Sequence, residues 1–211
     1  MDYSAEINLV QTLEKLRKAL GGIVEAIAQM VETRDPYTAG HQRRVADLAR
    51  AIANEMGFSQ DQVDGIRIAG LIHDLGKMYV PSEILSKPGR ITDLEYSLIK
   101  THPQAGYDIL KNIDFLWPIA QIVLQHHERI DGSGYPSGLL GKDILMEAKV
   151  LAVGDVVEAI ASYRPYRPSH SIDNAFEEIS KNKGILYDPQ IVDACLRLFN
   201  EKGYQLRQND V

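Results

Sequence analysis

Apolar residues near the start of the chain recur at alternating intervals of four and three residues. They are Leu9, Leu13, Leu16, Leu20, Ile23, Ile27 and Met30. This heptad spacing predicts one apolar seam along a long helix. Gly21 and Gly22 are poor helix formers, so we expect an N-terminal helix over residues 1–20, a main domain over 21–205 and a tail over 206–211. The helix either packs on its own domain or forms a homodimer and transmits a signal.

Helical periodicity continues through most of the remaining chain. It runs from His41 to Met56 and stops at Gly57, a residue suited to a left-handed helix end. Further helix starts are marked by Ser59 with Gln62, Thr92 with Glu95, Pro103, Pro118 and Asp188-Pro189. Strand patterns are scarce, and the loop-rich segments are 129–141 and 163–171. We therefore predict an all-α domain, a bundle of about eight helices.

Composition limits the classes of partner. The chain has 211 residues, 45% of them hydrophobic and 25% charged, which suits one substantial core. A formal net charge of -6 gives no general attraction for nucleic acid or an anionic membrane. We expect no nucleic-acid partner, and any phosphate recognition must come from a local cluster of basic residues.

Cysteine usage and hydropathy bear on the cellular compartment. Cys195 is the only cysteine, which excludes an internal disulfide and a thiolate metal site and fits a reducing compartment. No apolar run reaches the roughly 18 residues of a transmembrane helix, and the polar start lacks the features of a signal peptide. The sequence therefore predicts a cytoplasmic protein without a transmembrane segment.

Five of the six histidines lie beside features that packing alone does not explain: His41, His73, His102, His126 and His127. His73-Asp74 follows an apolar helical run, so both groups would lie at the edge of the core. A divalent cation would satisfy such a buried pair, whose charge is costly when unpaired. Imidazole and carboxylate ligands suit iron, manganese, zinc or nickel, and a carboxylate can bridge two ions. Any one of these histidines alone is more often an ordinary core residue.

Two further features extend this candidate site. His126 and His127 are adjacent, and side chains about 100° apart on a helix reach one ion only near the end of that helix. Asp155 lies in the apolar stretch 150–157, where an unpaired carboxylate is costly. The alternative for Asp155 is a helix cap or a salt bridge.

These residues belong to motifs that resemble a known family. HDLGK at 73–77 resembles the HD-domain phosphohydrolase signature, and HHERIDGSGYP at 126–136 resembles the extended signature of its HD-GYP subgroup. Four more blocks are similar to that subgroup, in its order. They are RDPYTAGHQRRV at 34–45, THPQAGYDIL at 101–110, GDVVEAI at 154–160 and RPYR at 164–167.

The resemblance implies an HD-domain helical bundle that hydrolyses cyclic di-GMP to pGpG, with GMP after a second round. It implies two divalent metal ions, most often iron or manganese, which would activate water and neutralise the phosphodiester oxygens. One metal would be held by His41, His73, Asp74 and Asp155, and the other by Asp74, His102, His126 and His127. The bridging Asp74 and Lys77 are the predicted catalytic residues.

The resemblance also implies residues that contact substrate. Lys77 would stabilise negative charge developing at the phosphate, and its alternative is a solvated helix-end charge. Arg164 and Arg167 have guanidinium groups that suit phosphate or guanine edges, and their alternative is a fixed surface loop. Tyr135 and Glu158 complete the predicted substrate-binding set.

A tight turn is predicted at Gly132, Gly134, Tyr135 and Pro136, since glycine permits positive φ and proline stiffens the exit. The resemblance gives this loop a place beside the metals and, as the weaker expectation, a docking role for a diguanylate cyclase. It also implies an upstream sensor or receiver domain.

The chain departs from the subgroup pattern at three positions. Members with a third metal carry Glu four residues before the histidine that is His41 here, and this chain has Tyr37, which favours two metals. Glu158 replaces the usual Asp, and Pro168 follows Arg167 where Lys is frequent. The last two changes affect base selectivity more than hydrolysis.

Two rival functions are retained. One is hydrolysis of another cyclic dinucleotide, such as cyclic GMP-AMP, or of a nucleotide monophosphate. The other is a catalytically weak module that binds a cyclic dinucleotide or a partner protein. A complete set of metal-ligand residues together with Lys77 favours catalysis, because binding alone has no chemical need for all of them.

Replacing Arg164 and Arg167 together with Ala should raise KM for cyclic di-GMP far more than it lowers kcat. Contacts remote from the reacting phosphorus contribute similarly to the ground state and the transition state. Steady-state kinetics with metal content measured in the same preparation test this. An unchanged KM would favour the structural-loop interpretation, and metal loss would mean that the loop supports the centre itself.

Overall fold

A computed structural model describes residues 3–34, 39–162 and 172–206. Its elements, in chain order, are α1 (Tyr3–Glu32), α2 (His41–Glu55), α3 (Gln60–Ile72), a 3-10 helix (Leu75–Tyr79), α4 (Ser82–Leu85), α5 (Asp93–Ile99), α6 (His102–Leu110), α7 (Ile119–Gln125), α8 (Met146–Ala161), α9 (Ile172–Lys181) and α10 (Pro189–Asn200). The all-α prediction is confirmed. The described residues form more helices than the eight expected because elements such as the four-residue α4 are too short to show periodicity.

Local chemistry sets the helix ends as the sequence predicted. The hydroxyls of Ser59 and Thr92 accept hydrogen bonds from backbone N–H groups in complete capping boxes. The carboxylate of Asp188 accepts from the N–H of Gln190 at 3.0 Å, at the start of α10. Gly57 follows α2 with a φ of 78°. These caps fix where the helices begin and end, and hence where the residues beyond the ends lie.

Helices α2, α3 and α8 form the centre of the core. Leu48, Ile66 and Leu151, one from each helix, are fully buried. Burying a side chain of this size contributes about 1.5–3 kcal/mol. Helices α7, α9 and α10 pack around this centre and supply further buried aliphatic residues. The candidate site residues project from the ends and inner faces of these packed helices.

Helix α1 is continuous through Gly21 and Gly22, so these glycines do not interrupt it. Its second part packs on the domain through Val24, Ile27, Ala28 and Val31, and it contacts α3 and the 3-10 helix. The predicted packing of the helix on its own domain is therefore seen only for this second part.

The seam residues of the first part of α1 stay exposed. Their relative exposures are 60% for Leu9, 51% for Leu13, 55% for Leu16, 53% for Leu20 and 56% for Ile23. The predicted domain boundary at residue 21 stays a prediction, and most of the predicted tail lies outside the described residues. No helix in the described ranges has the length and apolar character needed to cross a membrane.

Candidate metal centre

The HD pair lies where α3 passes into the 3-10 helix. His73 is the C-cap residue of α3, and Asp74 follows it. Both side chains are buried. A Cβ on Gly76 would lie 1.9 Å from the carbonyl oxygen of His102. Only glycine therefore allows the 3-10 helix to pack against the start of α6. This packing brings Asp74 of one segment close to His102 of the other.

Three of the histidines are held in the same way. The Nδ1 atoms of His73, His102 and His126 lie 2.8, 2.7 and 2.6 Å from backbone carbonyl oxygens three residues earlier in the chain. A carbonyl only accepts hydrogen bonds, so each Nδ1 carries the proton. Each Nε2 is then left with a lone pair, which is the form of histidine that binds a metal ion.

All seven predicted metal ligands meet in one cluster. Three overlapping groups each have ligand atoms within 4.8 Å of one another: His41, His73 and Asp155; His73, Asp74 and His126; and His102, His126 and His127. Nε2 of His41 lies 3.3 Å from Asp155 Oδ1, and Nε2 of His102 lies 3.4 Å from Asp74 Oδ1. The first and third groups match the two predicted ligand sets, and Asp74 lies between them.

The chemistry of this cluster fits divalent cations. Nε2 of His102 lies 3.3 Å from Nε2 of His126, and both atoms carry lone pairs when their Nδ1 atoms are protonated. Two lone pairs at this distance repel each other, and a cation bound by both removes the repulsion. The carboxylates of Asp74 and Asp155 add negative charge in the same buried space. Neutral imidazole with carboxylate is a ligand set for borderline transition metals.

Burial and neighbouring charges set the protonation of the ligands. Burial, together with the nearby His73 and His102, lowers the pKa of His126 to about 3. Burial also lowers the pKa of His102 to about 4, although Asp74 opposes this effect. Burial alone would raise the pKa of Asp74, but Lys77 and the surrounding histidines hold it well below its usual range. At neutral pH His102 and His126 are therefore neutral and Asp74 is ionised.

His41 differs because a carboxylate lies behind its ring. Its Nδ1 contacts Glu158, which also accepts hydrogen bonds from Arg44 Nε at 2.6 Å and from the hydroxyl of Ser162. Burial alone would lower the pKa of His41, but Glu158 and Asp155 outweigh it and raise the pKa to about 9. A carboxylate in this position fixes the ring of a metal-binding histidine.

Glu158 is therefore placed differently from the expectation that it contacts substrate. Its side chain is fully buried and its oxygens are engaged by His41, Arg44 and Ser162. This position makes it a support for His41. Arg44 was missed in the sequence, although it lies within the quoted block 34–45, because nothing in the spacing indicates that it meets a residue of α8.

Lys77 lies at the edge of the cluster. Its Nζ is 2.7 Å from Asp74 Oδ2, and its side chain is 17% exposed. The ammonium thus contacts the carboxylate between the two ligand groups and still reaches the surface. This agrees better with a role beside the reacting phosphate than with a solvated helix-end charge.

The predicted turn lies against the centre. The ring of Tyr135 stacks on His127, with centroids 4.7 Å apart and an interplanar angle of 33°. A Cβ on Gly134 would lie 2.4 Å from the backbone of Glu128, and Gly132 has a φ of 84°. The peptide bond between Tyr135 and Pro136 is cis. Glycine is therefore needed at positions 132 and 134 for the backbone to follow this turn.

Glu128 anchors the same loop from beneath. Its buried carboxylate accepts hydrogen bonds from the N–H groups of Ser137 at 2.7 Å and Leu139 at 2.9 Å. The sequence interpretation assigned Glu128 no role, although a carboxylate directly after two histidines is a visible signal. Arg164, Arg167, Tyr37 and Pro168 lie outside the described residues.

Comparisons with known proteins agree with this geometry. A protein-family model described as HD domain matches residues 25–191. The chain is 37% identical over 196 residues to the cyclic di-GMP phosphodiesterase response regulator RpfG of Xanthomonas campestris, covering 92% of this chain and 52% of that protein. It is 41% identical over 181 residues to a cyclic di-GMP phosphodiesterase of Thermotoga maritima, covering 85% and 49%.

A further relative is the 3'3'-cGAMP-specific phosphodiesterase 3 of Vibrio cholerae, 33% identical over 178 residues, covering 84% of this chain and 39% of that protein. The chain thus spans about half the length, or less, of these relatives. Among solved structures, the HD domain of the Listeria monocytogenes phosphodiesterase PgpH aligns with a TM-score of 0.59 at 21% identity, covering 84% of this chain and 99% of that one. At this identity the likeness supports the fold alone.

The metal-free protein should lose stability as the pH is lowered from 6.5 to 5. In this range unfolded histidines, with a pKa near 6.5, take up protons that folded His102 and His126 do not bind until about pH 4 and 3. Each of the two should lower the free energy of unfolding by up to about 1.4 kcal/mol per pH unit. His41, with its raised pKa, opposes this slope near pH 6.5, where its unfolded form is half protonated, and adds little toward pH 5, where both forms are protonated.

Urea unfolding of the metal-free protein at several pH values measures this effect. His126→Gln should show a shallower dependence on pH than the wild type, because it lacks one of the histidines whose pKa is lowered by folding. A wild-type free energy of unfolding that stays constant between pH 6.5 and 5 would contradict the neutral state of these histidines.

Proposed function

The chain belongs to the HD-domain family, and carries signature blocks of its HD-GYP subgroup; on this basis we propose that it is a metal-dependent phosphodiesterase that hydrolyses cyclic di-GMP. The observation that carries the proposal is the buried cluster of five imidazoles and two carboxylates, in which Nε2 atoms face one another. The curated relatives named as cyclic di-GMP phosphodiesterases support this substrate.

In this proposal two divalent ions, iron or manganese, bind at the cluster. His41, His73 and Asp155 would hold one, His102, His126 and His127 would hold the other, and Asp74 would contribute to both. Bound ions of this kind supply activated water and neutralise charge on a phosphodiester. The anchored Nδ1 atoms keep the imidazole rings from rotating, so the ligands are oriented before any ion binds.

The protein's own residues then handle the substrate. Lys77 holds its ammonium against Asp74 Oδ2 at the edge of the cluster, where it can contact the oxygens of a phosphate. Tyr135 covers His127 and borders the same space. With Arg164 and Arg167 as further substrate contacts, these residues bind the diester, and the product is pGpG, with GMP after a second cleavage.

A second substrate is the runner-up. The 3'3'-cGAMP-specific relative has a similar level of identity, so cyclic GMP-AMP is the alternative cyclic dinucleotide. An anaerobic assay with metal-loaded protein, cyclic di-GMP, cyclic GMP-AMP and a nucleoside monophosphate separates these candidates. Cyclic di-GMP should give the largest kcat/KM. Tight binding of a cyclic dinucleotide without turnover would instead favour the weak or binding-only module.

Asp74→Ala and Lys77→Ala should fail in different ways. Asp74→Ala removes the carboxylate shared by the two ligand groups, so it should lose both bound metal and hydrolysis. Lys77→Ala removes no ligand, so it should keep its metal and lose about 100-fold in kcat, as expected for charge that stabilises a transition state.

Metal analysis of each purified variant beside its turnover rate gives the comparison. Near wild-type hydrolysis by Asp74→Ala would rule out the shared-ligand arrangement. Loss of metal from Lys77→Ala would show that Lys77 maintains the centre and would remove its assigned role.

A second copy of the chain is the proposed partner of the exposed seam on α1. The heptad spacing of Leu9, Leu13, Leu16 and Leu20 is that of a two-stranded coiled coil. All four are more than half exposed, although they lie on one face. The flanking positions Val10, Thr12 and Arg17 contain a single charge, so like charges do not oppose pairing.

Leu13→Lys with Leu16→Lys should convert the dimer to a monomer, since it puts charges into the seam. The matched control is Asn8→Lys with Gln11→Lys, which adds the same charge on the opposite face of the helix and should leave the dimer intact. Sedimentation equilibrium measures both. A monomeric wild type, or equal effects of the two double variants, would contradict the coiled coil.

Other expected partners stay predictions. The stacking of Tyr135 on His127 favours a site-lining role for the turn over docking of a diguanylate cyclase. An upstream sensor or receiver domain is compatible with relatives that are about twice as long as the matched region. The cytoplasmic location likewise rests on the single cysteine.

A further inference from the structure

A lysine lies between two tyrosine rings beside the metal centre. Nζ of Lys100 is 4.7 Å from the centroid of the Tyr96 ring and 5.6 Å from that of Tyr135. Both distances are within the range of cation–π contacts. Tyr96 belongs to α5 and Lys100 follows the last residue of that helix, whereas Tyr135 comes from the turn after α7. Two separate segments therefore build this arrangement.

This group is joined to metal-ligand residues on both sides. The Tyr135 ring stacks on His127, and the carbonyl of Ile99, the residue before Lys100, accepts the hydrogen bond of His102 Nδ1 at 2.7 Å. The order outward from the centre is the His127 ring, the Tyr135 ring, the Lys100 ammonium and the Tyr96 ring. Its position relative to the ligands is thus fixed by direct contacts.

The ammonium of Lys100 has no carboxylate partner among the described residues. Across residues 3–34, 39–162 and 172–206, no carboxylate lies within ion-pair distance of its Nζ. Lys111 also lies over a tyrosine ring, that of Tyr107, but its Nζ is 2.7 Å from Asp108. Within the described residues the positive charge of Lys100 is therefore not paired with a carboxylate, in a chain with a net charge of -6.

We propose that Tyr96, Lys100 and Tyr135 form a subsite for the half of the cyclic dinucleotide that is not being cleaved. The inference rests on the proposed function. A cyclic dinucleotide has two phosphates, and only one can react at the metals at a time. The other phosphate binds the ammonium of Lys100, and the adjoining purine stacks on the ring of Tyr96, which is 43% exposed.

The subsite predicts a change in substrate preference. We compare kcat/KM for cyclic di-GMP with kcat/KM for bis(p-nitrophenyl) phosphate, a diester with one phosphate and no purine. Lys100→Met should lower the ratio of the two values about tenfold, mainly through KM for cyclic di-GMP. Tyr96→Leu should lower the ratio as well. Tyr96→Phe keeps the ring face, so its ratio should equal that of the wild type.

The matched control is Lys111→Met. Lys111 also lies over a tyrosine ring, but its ammonium is paired with a carboxylate, so the ratio for this variant should equal that of the wild type. Metal content is measured for every variant. An unchanged ratio in Lys100→Met overturns the subsite, as does an equal fall in both rates with loss of metal. A wild-type enzyme that cleaves the small diester but no cyclic dinucleotide rejects the proposed function itself, which is a separate result.

Discussion

The structure depends on the burial of four imidazoles and two carboxylates at one point in a hydrophobic core, with the partly exposed His127 beside them. Buried polar groups are costly when they lack partners, and the Nε2 atoms of His102 and His126 lie only 3.3 Å apart. A cation satisfies the lone pairs and the carboxylates together. Hydrogen bonds from Nδ1 to backbone carbonyls keep the rings of His73, His102 and His126 in place. The Nε2 lone pairs of these rings therefore stay directed into the cluster.

Helix ends are the means by which the fold brings these groups together. His41 begins α2, His73 ends α3, His102 begins α6, and His126 ends α7, while Asp155 lies within α8. A carbonyl in the last turn of a helix has no partner within that helix, so it is free to accept from an imidazole. The site is therefore rigid because it is built from the ends of packed elements.

Around this centre, polar contacts form two further levels. Glu158 and Glu128 are buried carboxylates that act through other groups, the first on the ring of His41 and the second on the backbone after Tyr135. Farther out, Tyr135 contacts both the ring of His127 and the ammonium of Lys100, at the rim where we propose that the cyclic dinucleotide binds.

The sequence by itself determined the helical class, the capped helix starts and the seven candidate ligands. These features are local. The free energy of a capping box, a heptad seam or a charged pair within an apolar run depends mainly on residues nearby in the chain. The HD pair and the two adjacent histidines could therefore be selected before any contact was known.

Only the tertiary structure decided which residues act on one another across the chain. Glu158 lies behind His41, which is 117 positions away. The family resemblance implied a substrate contact for Glu158, whereas the packing of α2 against α8 places it as a support for His41. Lys100 and Tyr135 meet because α5 and the turn after α7 converge. Helix α1 likewise continues through Gly21 and Gly22, where the sequence predicted an interruption. Such contacts follow from packing over long sequence separations, and a single sequence does not specify them through its local pattern.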